Sequence, residues 1–399
     1  MSSYVILIFC VLILLAYLFD ITSRYTRIPG VVFLIGLGIG IQVLVETTGF
    51  SIPDFNPLLP VFGTIGLMLI IMEASLDLKL AKNKFRLIIK SATAAVFLFA
   101  LFVGIMTIIL VYSMGYKVTD SILNAVPFGI ISSAVAIPCA SHLNKRQKEF
   151  IVYESSLSNI IGILFFDFIL IYGDSILLGL FNFILNSIIT IIVAVVITFA
   201  LALLLHKITY HINYVIILTS LILVYVLAGM IHLPALLLVM AFGMALANYR
   251  LSENTFLSRY IQYDKFGNDL ASFTRIMREL TFIVKSFFFI MFGYLTQIEG
   301  LFDLSNVITS LCIIAGIYFL RIIFLRIILK IPVLPFLFFS PRGLVTILLF
   351  LSVPASLKIG LISKEVVTLV ILLTIFIMFI GNIFYRDDII TDQYPGNID

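Results

Sequence analysis

Residues 150 to 170 read FIVYESSLSNIIGILFFDFIL, an apolar stretch of membrane-spanning length that nevertheless contains several polar side chains. At about 100° per residue on a helical wheel, one face collects Glu154, Ser155, Ser158 and Asn159, with Gly162 in its middle. Oxygen-bearing side chains around a small gap suit a hard alkali cation that sheds its water. Serines alone are also typical of a polar seam between packed helices. The embedded glutamate favours the ion site, because charged residues inside membrane segments usually have a function.

Two further carboxylates lie in apolar surroundings and are candidates, beside Glu154, for an acid that carries a proton. Asp167 falls on another face of the same segment, nearer its outer end, where helix pairing or snorkelling is the commoner role. Glu73, in LIIMEASLDL, lies near the inner end of the third apolar segment. It is either a second functional carboxylate or a partner for the basic loop that follows.

Two apolar segments are interrupted by proline. Residues 121–143 carry Pro127 and Pro138 on either side of Ser132 and Ser133, and residues 331–354 carry Pro335, Pro341 and Gly343 around Arg342. Proline removes a backbone donor and clashes with the preceding turn. Such breaks are tolerated at membrane depth where they line a polar cavity or are buried in protein, and matched breaks are typical of transporter sites. Ser132 and Ser133 are therefore predicted to join the ion ligands.

Two cations, Lys285 and Arg342, fall inside apolar segments and have to be balanced there. An arginine keeps its proton and needs an anion, and Glu154 is the predicted partner of Arg342 because either charge alone would be costly. Lys285, in FIVKSFFFIMFG, requires either a carboxylate or a neutral amine.

The composition is that of a membrane protein. Hydrophobic residues make up 62% and charged residues 12%, against roughly 45–50% and 25% in soluble domains, and the mean hydropathy is +1.21. The sequence has room for about thirteen spanning helices, so we predict an all-α integral membrane protein. The predicted spans are 3–22, 29–46, 58–76, 88–114, 121–143, 150–172, 176–205, 212–230, 233–249, 280–298, 304–329, 331–354 and 362–385.

The distribution of basic residues predicts the orientation of these spans. Of the 25 lysines and arginines, twenty fall in loops on one side, Arg321 among them, and only Lys117, Lys358 and Lys364 on the other. By the positive-inside rule the twenty face the cytoplasm, which places the N-terminus outside and the C-terminus in the cytoplasm of a multi-pass cell-membrane protein.

Spans 1–6 and 8–13 are predicted to form an inverted repeat, at about 3–172 and 212–385, joined by a linker helix at 176–205. IPGVVFLIGLGIGI (28–41) aligns without a gap with LPALLLVMAFGMAL (233–246), proline with proline and small residue with small residue. The fifth span of each half, helices 5 and 12, is the discontinuous one, and we expect the two to cross. Residues 1–386 then form a single transmembrane domain, residues 250–279 a solvated connector and residues 387–399 a short cytoplasmic tail.

Other classes of protein are not supported. The first apolar run has spanning length and no basic flank, so no cleavable signal peptide is expected. The sequence has neither H-E-x-x-H nor G-x-S-x-G, so we predict no enzyme, no cofactor and no metal other than a transported cation. Nothing in the charge pattern points to nucleic acid.

Several of these segments, in their order and spacing, resemble the monovalent cation:proton antiporters, in particular the sodium/proton exchangers. They are IPGVVFLIGLGIGI, FGTIGLMLIIMEASLDL, the broken span 5, ESSLSN, FFFIMFG and SPRGL. The resemblance covers nearly the whole chain. It implies a thirteen-helix fold with a dimer domain and a core domain that moves like an elevator, a homodimer, and exchange of Na⁺ (or K⁺ or Li⁺) for H⁺.

The chain departs from the family pattern in its ion site. In the family, this helix carries the motif E-S-x-x-N-D; here Ser158 stands at the position of the asparagine and Asn159 at that of the ion-binding aspartate. The family's T-D-P motif in the first broken helix is replaced by Ser132-Ser133-Ala134. The paired Glu and Arg of the family carry over to Glu154 and Arg342. An asparagine offers a carbonyl oxygen but does not titrate, so coupling between cation and proton is expected to be altered or lost. An organic-anion transporter that uses Arg342 and Lys285, or an uncoupled channel or sensor, stays open as an alternative.

Overall fold

The computed structural model describes residues 2–26, 29–48, 59–78, 85–140, 143–173, 176–207, 213–230, 233–249 and 263–384. Throughout these residues the regular structure is helical, and none of them forms a β-strand. The predicted all-α class is therefore confirmed. The predicted tail, 387–399, lies outside the described residues. So do many of the loop lysines and arginines from which the orientation is predicted.

The helices are labelled in chain order. They are α1 Ser2–Thr26, α2 Gly30–Thr48, α3 Leu59–Asp77, α4 Phe85–Met114, α5 Val118–Gly129, α6 Ser133–Cys139, α7 Lys145–Tyr172, α8 Ile176–Lys207, α9 Asn213–Met230, α10 Ala235–Ala247, α11 Tyr263–Tyr294, α12 Ile298–Leu301, α13 Leu304–Ile323, α14 Leu344–Ser352 and α15 Lys364–Phe384. A π-helical turn, Phe324–Ile328, extends α13. The predicted connector at 250–279 is partly wrong, because α11 already begins at Tyr263; residues 250–262 lie outside the described part of the chain.

Seven segments within the described residues are long and apolar enough to cross a membrane. They are Gly30–Thr48, Phe85–Met114, Val118–Cys139, Lys145–Tyr172, Gly179–Thr198, Leu304–Ile328 and Lys364–Phe384. Large apolar side chains on α4 and α8 are well exposed, for example Ile108 and Phe181. Helices that are apolar on their outer faces are typical of proteins surrounded by lipid. The count of thirteen spans and the inverted repeat stay predictions.

The fifth predicted span is interrupted at residues 130–132. There the backbone is extended, with φ −90° and ψ 133° at Ile130 and φ −75° and ψ 106° at Ser132. Pro127 lies in the last turn of α5 and Pro138 in the last turn of α6. Each proline removes a helical hydrogen bond, and the helix stops between them.

The twelfth predicted span is broken more extensively than a single interruption. Residues 329–343 form no α-helix, apart from turns at 334–338, and α14 begins only at Leu344. Pro332, Pro335 and Pro341 remove three backbone donors from this stretch. Without a continuous helical ladder, carbonyls of this stretch accept hydrogen bonds from other segments, as that of Pro341 does from the N–H of Ser132.

The chain divides into two compact units. The first contains Met1–Gly63, Arg86–Gly162 and Ile283–Asp399, and so holds both broken segments and most of the polar stretch of α7. The second contains Thr64–Phe85 and Ile163–Phe282. Within the second unit, Ala194, Ala228 and Leu238 form a buried cluster.

Candidate ion site

The polar face of α7 lies against the break between α5 and α6. The hydroxyl oxygen of Ser158 accepts a hydrogen bond of 3.0 Å from the backbone N–H of Ile131, inside the break. The amide nitrogen of Asn159 donates a 2.7 Å bond to the hydroxyl of Ser133, the first residue of α6. A side chain at position 162 would collide with Ile130. Gly162 thus permits the close approach that brings the predicted stripe and the predicted break together.

Asn159 has a side-chain oxygen that no described residue uses. Its side chain is 3% exposed, and its Oδ1 is buried without a hydrogen-bond partner among the described residues. A buried acceptor without a partner costs about 1–3 kcal/mol. An oxygen of this kind is a suitable ligand for a hard cation.

The other two predicted ligands, Ser155 and Ser132, are also buried. The hydroxyl of Ser155 donates to the carbonyl of Ile151 at 2.7 Å within α7, which leaves its oxygen lone pairs available. The N–H of Ser132 donates to the carbonyl of Pro341 at 2.8 Å. The Ser132 side chain also packs on Gly343, where a Cβ atom would meet its hydroxyl. The two broken segments are therefore in direct contact at this point.

The buried carboxylate of Glu154 pairs with Arg321. Nη1 and Nη2 of Arg321 donate to Oε1 and Oε2 of Glu154 at 2.7 and 2.8 Å, and both side chains are at most 2% exposed. The predicted pair between Glu154 and Arg342 is therefore wrong. The assignment of Arg321 to a cytoplasmic loop is wrong as well.

The burial of Arg321 has a signal in the sequence that the loop assignment missed. Arg321 follows Ile314 and Ile317 at helical spacing and precedes Phe324, and all four side chains are buried. The neighbouring basic residues are exposed, with Arg326 in the π-helical turn and Lys330 beyond it. Spacing along the helix, rather than the clustering of three cations, separates the buried arginine from its exposed neighbours.

Arg342 is buried to the same degree as Arg321 but is bound by backbone carbonyls. Its Nε donates to Phe128 at 2.6 Å, in the last turn of α5, and its Nη1 donates to Ser340 at 3.0 Å. Its backbone N–H donates to the hydroxyl of Thr374 at 3.0 Å. A cation at the C-terminal end of a helix is stabilised by the negative end of the helix dipole. Arg342 thus anchors the end of α5.

A cavity of about 20 Å³ lies beside these groups. Its polar lining comes from Ser158, Arg321, Ser340 and Arg342, and apolar residues of α4 and α13 such as Phe99 and Ile317 close the rest. The cavity exceeds the roughly 10–15 Å³ that one water molecule requires. It can hold one water molecule or one small ion next to the guanidinium groups of Arg321 and Arg342.

The contacts described above do not involve the remaining predicted residues. Lys285 is half-buried in α11 and makes no ion pair with any described residue. Glu73 in α3 and Asp167 in α7 are half-buried and belong to the second unit. Asp167 follows Asn159 by eight residues, which is more than two helical turns. Their predicted roles as proton carriers stay predictions.

Comparison with known proteins identifies the fold and the family. Two solved structures of the sodium proton antiporter MjNhaP1 from Methanocaldococcus jannaschii match this chain: one at pH 8, with a TM-score of 0.69 over 96% of both chains, and one from an electron-microscopy map, with a TM-score of 0.64 over 96% of this chain and 95% of that one. The identity is 17% in both cases, so these matches show the fold. No match is found among curated protein sequences. The family described as "sodium/hydrogen exchanger, transmembrane" matches residues 10–385. The predicted resemblance is confirmed, and the chain belongs to the sodium/hydrogen exchanger family.

Proposed function

We propose that this protein is a secondary active transporter that exchanges a monovalent cation for protons, with Na⁺ as the first cation to test, followed by K⁺ and Li⁺. Membership of the sodium/hydrogen exchanger family supports this reaction class. The observation that carries the proposal is the buried, unpaired Oδ1 of Asn159 beside Ser133, where a polar helix face meets a helix break. The proposed ligands are the side-chain oxygens of Asn159, Ser158, Ser155, Ser133 and Ser132.

The proposed coupling differs from that of a site with an aspartate. A carboxylate holds either a proton or a cation, and this competition links the two fluxes, whereas an amide never titrates. Glu154 is occupied by two hydrogen bonds from Arg321, and releasing it would leave a buried arginine unpaired. We therefore propose that the coupling between cation and proton is weaker in this chain than in a site with an aspartate; complete loss of coupling, as in a channel, is the alternative.

An organic-anion transporter is the weaker candidate. The cavity beside Arg342, at about 20 Å³, is much smaller than the roughly 300–1,000 Å³ of typical small-molecule sites. A hard cation needs only a few oxygen atoms and a small gap.

The assembly that we propose follows from the family resemblance. The transporter would have thirteen spans in two inverted halves, with the N-terminus outside and the C-terminus in the cytoplasm of a cell membrane. It would form a homodimer, and its core would move by an elevator-type mechanism to give the ion site access to each side in turn.

The decisive experiment introduces the missing carboxylate. Purified native protein and the Asn159→Asp variant are reconstituted into liposomes that contain a pH-sensitive dye, and Na⁺, K⁺ or Li⁺ is added to dissipate a pH gradient. We expect Asn159→Asp to create cation-dependent proton movement or to raise it several-fold, because a titratable group then occupies the ion site.

A matched control is available in α15. Asn382 is also buried, and its Oδ1 also lacks a hydrogen-bond partner within the described chain. Asn382→Asp adds the same carboxylate outside the site and should leave the dye signal at the native level. Equal signals from Asn159→Asp, Asn382→Asp and the native protein, with all three folded, would contradict the proposed ion site.

A further inference from the structure

The buried groups around the cavity carry more positive than negative charge. Arg321 is neutralised by Glu154, but Arg342 donates its side-chain hydrogen bonds to two carbonyls and not to a carboxylate. The carbonyl end of a helix such as α5 supplies only about half of an elementary negative charge. Part of the Arg342 charge thus stays uncompensated in a buried, poorly solvated place, where an unbalanced charge is costly.

The polar wall of the cavity offers hydrogen-bond donors. Ser158 accepts from the N–H of Ile131, which leaves its own O–H free to donate into the cavity. The hydroxyl of Ser340, a residue that is 1% exposed, lies beside the buried hydroxyl of Tyr318, and when its oxygen accepts from that phenol its own O–H is left to donate. Guanidinium groups have only donors. A cation would find a repulsive charge here and few acceptors, whereas an anion would find several donors.

We propose that this cavity is a binding site for one small inorganic anion of the halide class, with chloride as its physiological form. The anion would accept hydrogen bonds from Ser340 and Ser158 and would lie next to the guanidinium groups of Arg342 and Arg321. A volume of about 20 Å³ accommodates one small ion. Glu154 neutralises Arg321, and the anion would neutralise the remaining positive charge of Arg342.

Size and charge distinguish this ligand from the alternatives. A water molecule fits the cavity but leaves the charge of Arg342 uncompensated. Sulfate, phosphate and organic carboxylates carry several heavy atoms each and exceed a space that is only slightly larger than one water molecule requires. The site goes beyond the proposed exchange reaction, and it can be tested without any measurement of transport.

The experiment measures the thermal stability of the purified full chain in detergent at constant Na⁺ concentration, with gluconate replaced stepwise by chloride or bromide. Binding to the folded state raises the apparent Tm in a saturable manner. We expect saturable stabilisation by chloride and a weaker effect from bromide, which is the larger ion. Sulfate at matched ionic strength should give only the gradual, non-saturating increase that excluded salts cause.

Two serine variants show whether the effect arises in this cavity. Ser340→Ala removes a hydroxyl from the cavity wall, and Ser121→Ala removes an equally buried hydroxyl of α5 that does not line it. We expect Ser340→Ala to raise the half-saturating chloride concentration several-fold and Ser121→Ala to leave it unchanged. Arg342→Gln, where it folds, should abolish the chloride effect altogether.

Two results would overturn the proposal. The first is an equal Tm of the native chain in chloride and gluconate, which would mean that water alone occupies the cavity. The second is an unchanged half-saturating concentration in Ser340→Ala, which would place the halide elsewhere. Since neither readout depends on cation exchange, failure here leaves the proposed function standing, and the reverse also holds.

Discussion

Arg321 and Arg342 are two buried arginines that line the same cavity, and the chain holds them in different ways. Arg321 projects from the continuous helix α13 and makes two hydrogen bonds to a carboxylate, with a further 2.9 Å bond from Nε to the carbonyl of Phe336. Arg342 belongs to the non-helical segment and donates to the carbonyls of Phe128 and Ser340. The charge of Arg321 is neutralised by the carboxylate of Glu154, whereas the charge of Arg342 is stabilised only by carbonyl dipoles.

The difference shows what a broken helix contributes to a membrane site. In an intact helix each interior carbonyl already accepts an N–H of its own helix, and side chains such as that of Ser155 reach only its second lone pair. The proline-rich segment 329–343 has no continuous helical ladder, and the carbonyls of Phe336 and Ser340 each accept from one arginine, that of Phe336 in addition to the N–H of Phe339. The break therefore creates acceptors at membrane depth, but these acceptors carry only partial charge. This explains why Arg342, and not Arg321, is left with positive charge to balance.

The largest effect is expected when the carboxylate of the Arg321 pair is removed. Glu154→Gln leaves a buried guanidinium without its counter-charge, which costs about 3–5 kcal/mol in comparable buried pairs. The free energy of unfolding can be measured by titration with sodium dodecyl sulfate in mixed micelles, followed by circular dichroism. A loss of less than about 1 kcal/mol, the usual range for exposed pairs, would contradict the geometry.

Double variants test which arginine is the partner of Glu154. Replacing both members of a buried pair is often close to neutral, because no charge is left uncompensated. Glu154→Gln with Arg321→Gln should therefore recover much of the stability lost in the single variant. Glu154→Gln with Arg342→Gln should recover none of it. If the double variant with Arg342→Gln recovered the stability and the one with Arg321→Gln did not, the partner of Glu154 would be Arg342, as the sequence alone suggests.

A smaller effect is expected from exchanging each arginine for lysine. Lysine keeps the positive charge but is a single ammonium group and loses the planar fork of donors. Arg321→Lys gives up one of two charge-assisted bonds to Glu154 and the bond to Phe336, whereas Arg342→Lys gives up one bond to a neutral carbonyl. We expect a cost of about 3 kcal/mol for Arg321→Lys and about 1–2 kcal/mol for Arg342→Lys. Equal costs in the same titration would mean that the two sites bind their arginines in the same way.

The sequence was sufficient to predict the local features of the site. Helical spacing placed Glu154, Ser158 and Asn159 on one face of α7. The prolines predicted two helix breaks: the first contacts this face of α7, and the second contains Arg342. These predictions succeed because helix periodicity and the missing N–H of proline act within a few residues. The family followed from the same motifs in their order along the chain.

The partner of Glu154 could not be obtained from the sequence in the same way. Glu154 and Arg321 are 167 residues apart, and only the packing of α7 against α13 brings them together. Arg342 was the nearest alternative by depth, and nothing local to either arginine states which one reaches the glutamate. The extended length of the second break was also missed, because a proline predicts where a helix stops but not where it resumes.

The smallest effect concerns the backbone that positions Arg342. The hydroxyl of Thr374, in α15, accepts from the N–H of Arg342 at 3.0 Å and donates to the carbonyl of Ile371 at 3.1 Å. Thr374→Val keeps the shape of the side chain but leaves that buried N–H without an acceptor, which should cost about 1 kcal/mol in the detergent titration. Thr374→Ser keeps the hydroxyl and should retain most of the stability.

The same variant tests whether the two arginines are independent. The altered bond holds the backbone of Arg342 and not the Glu154 pair, and separate sites contribute additively. The loss in Thr374→Val should therefore be unchanged in the Glu154→Gln, Arg321→Gln background. A coupling of more than about 0.5 kcal/mol between the two changes would mean that the two arginines act as one network rather than as separate sites.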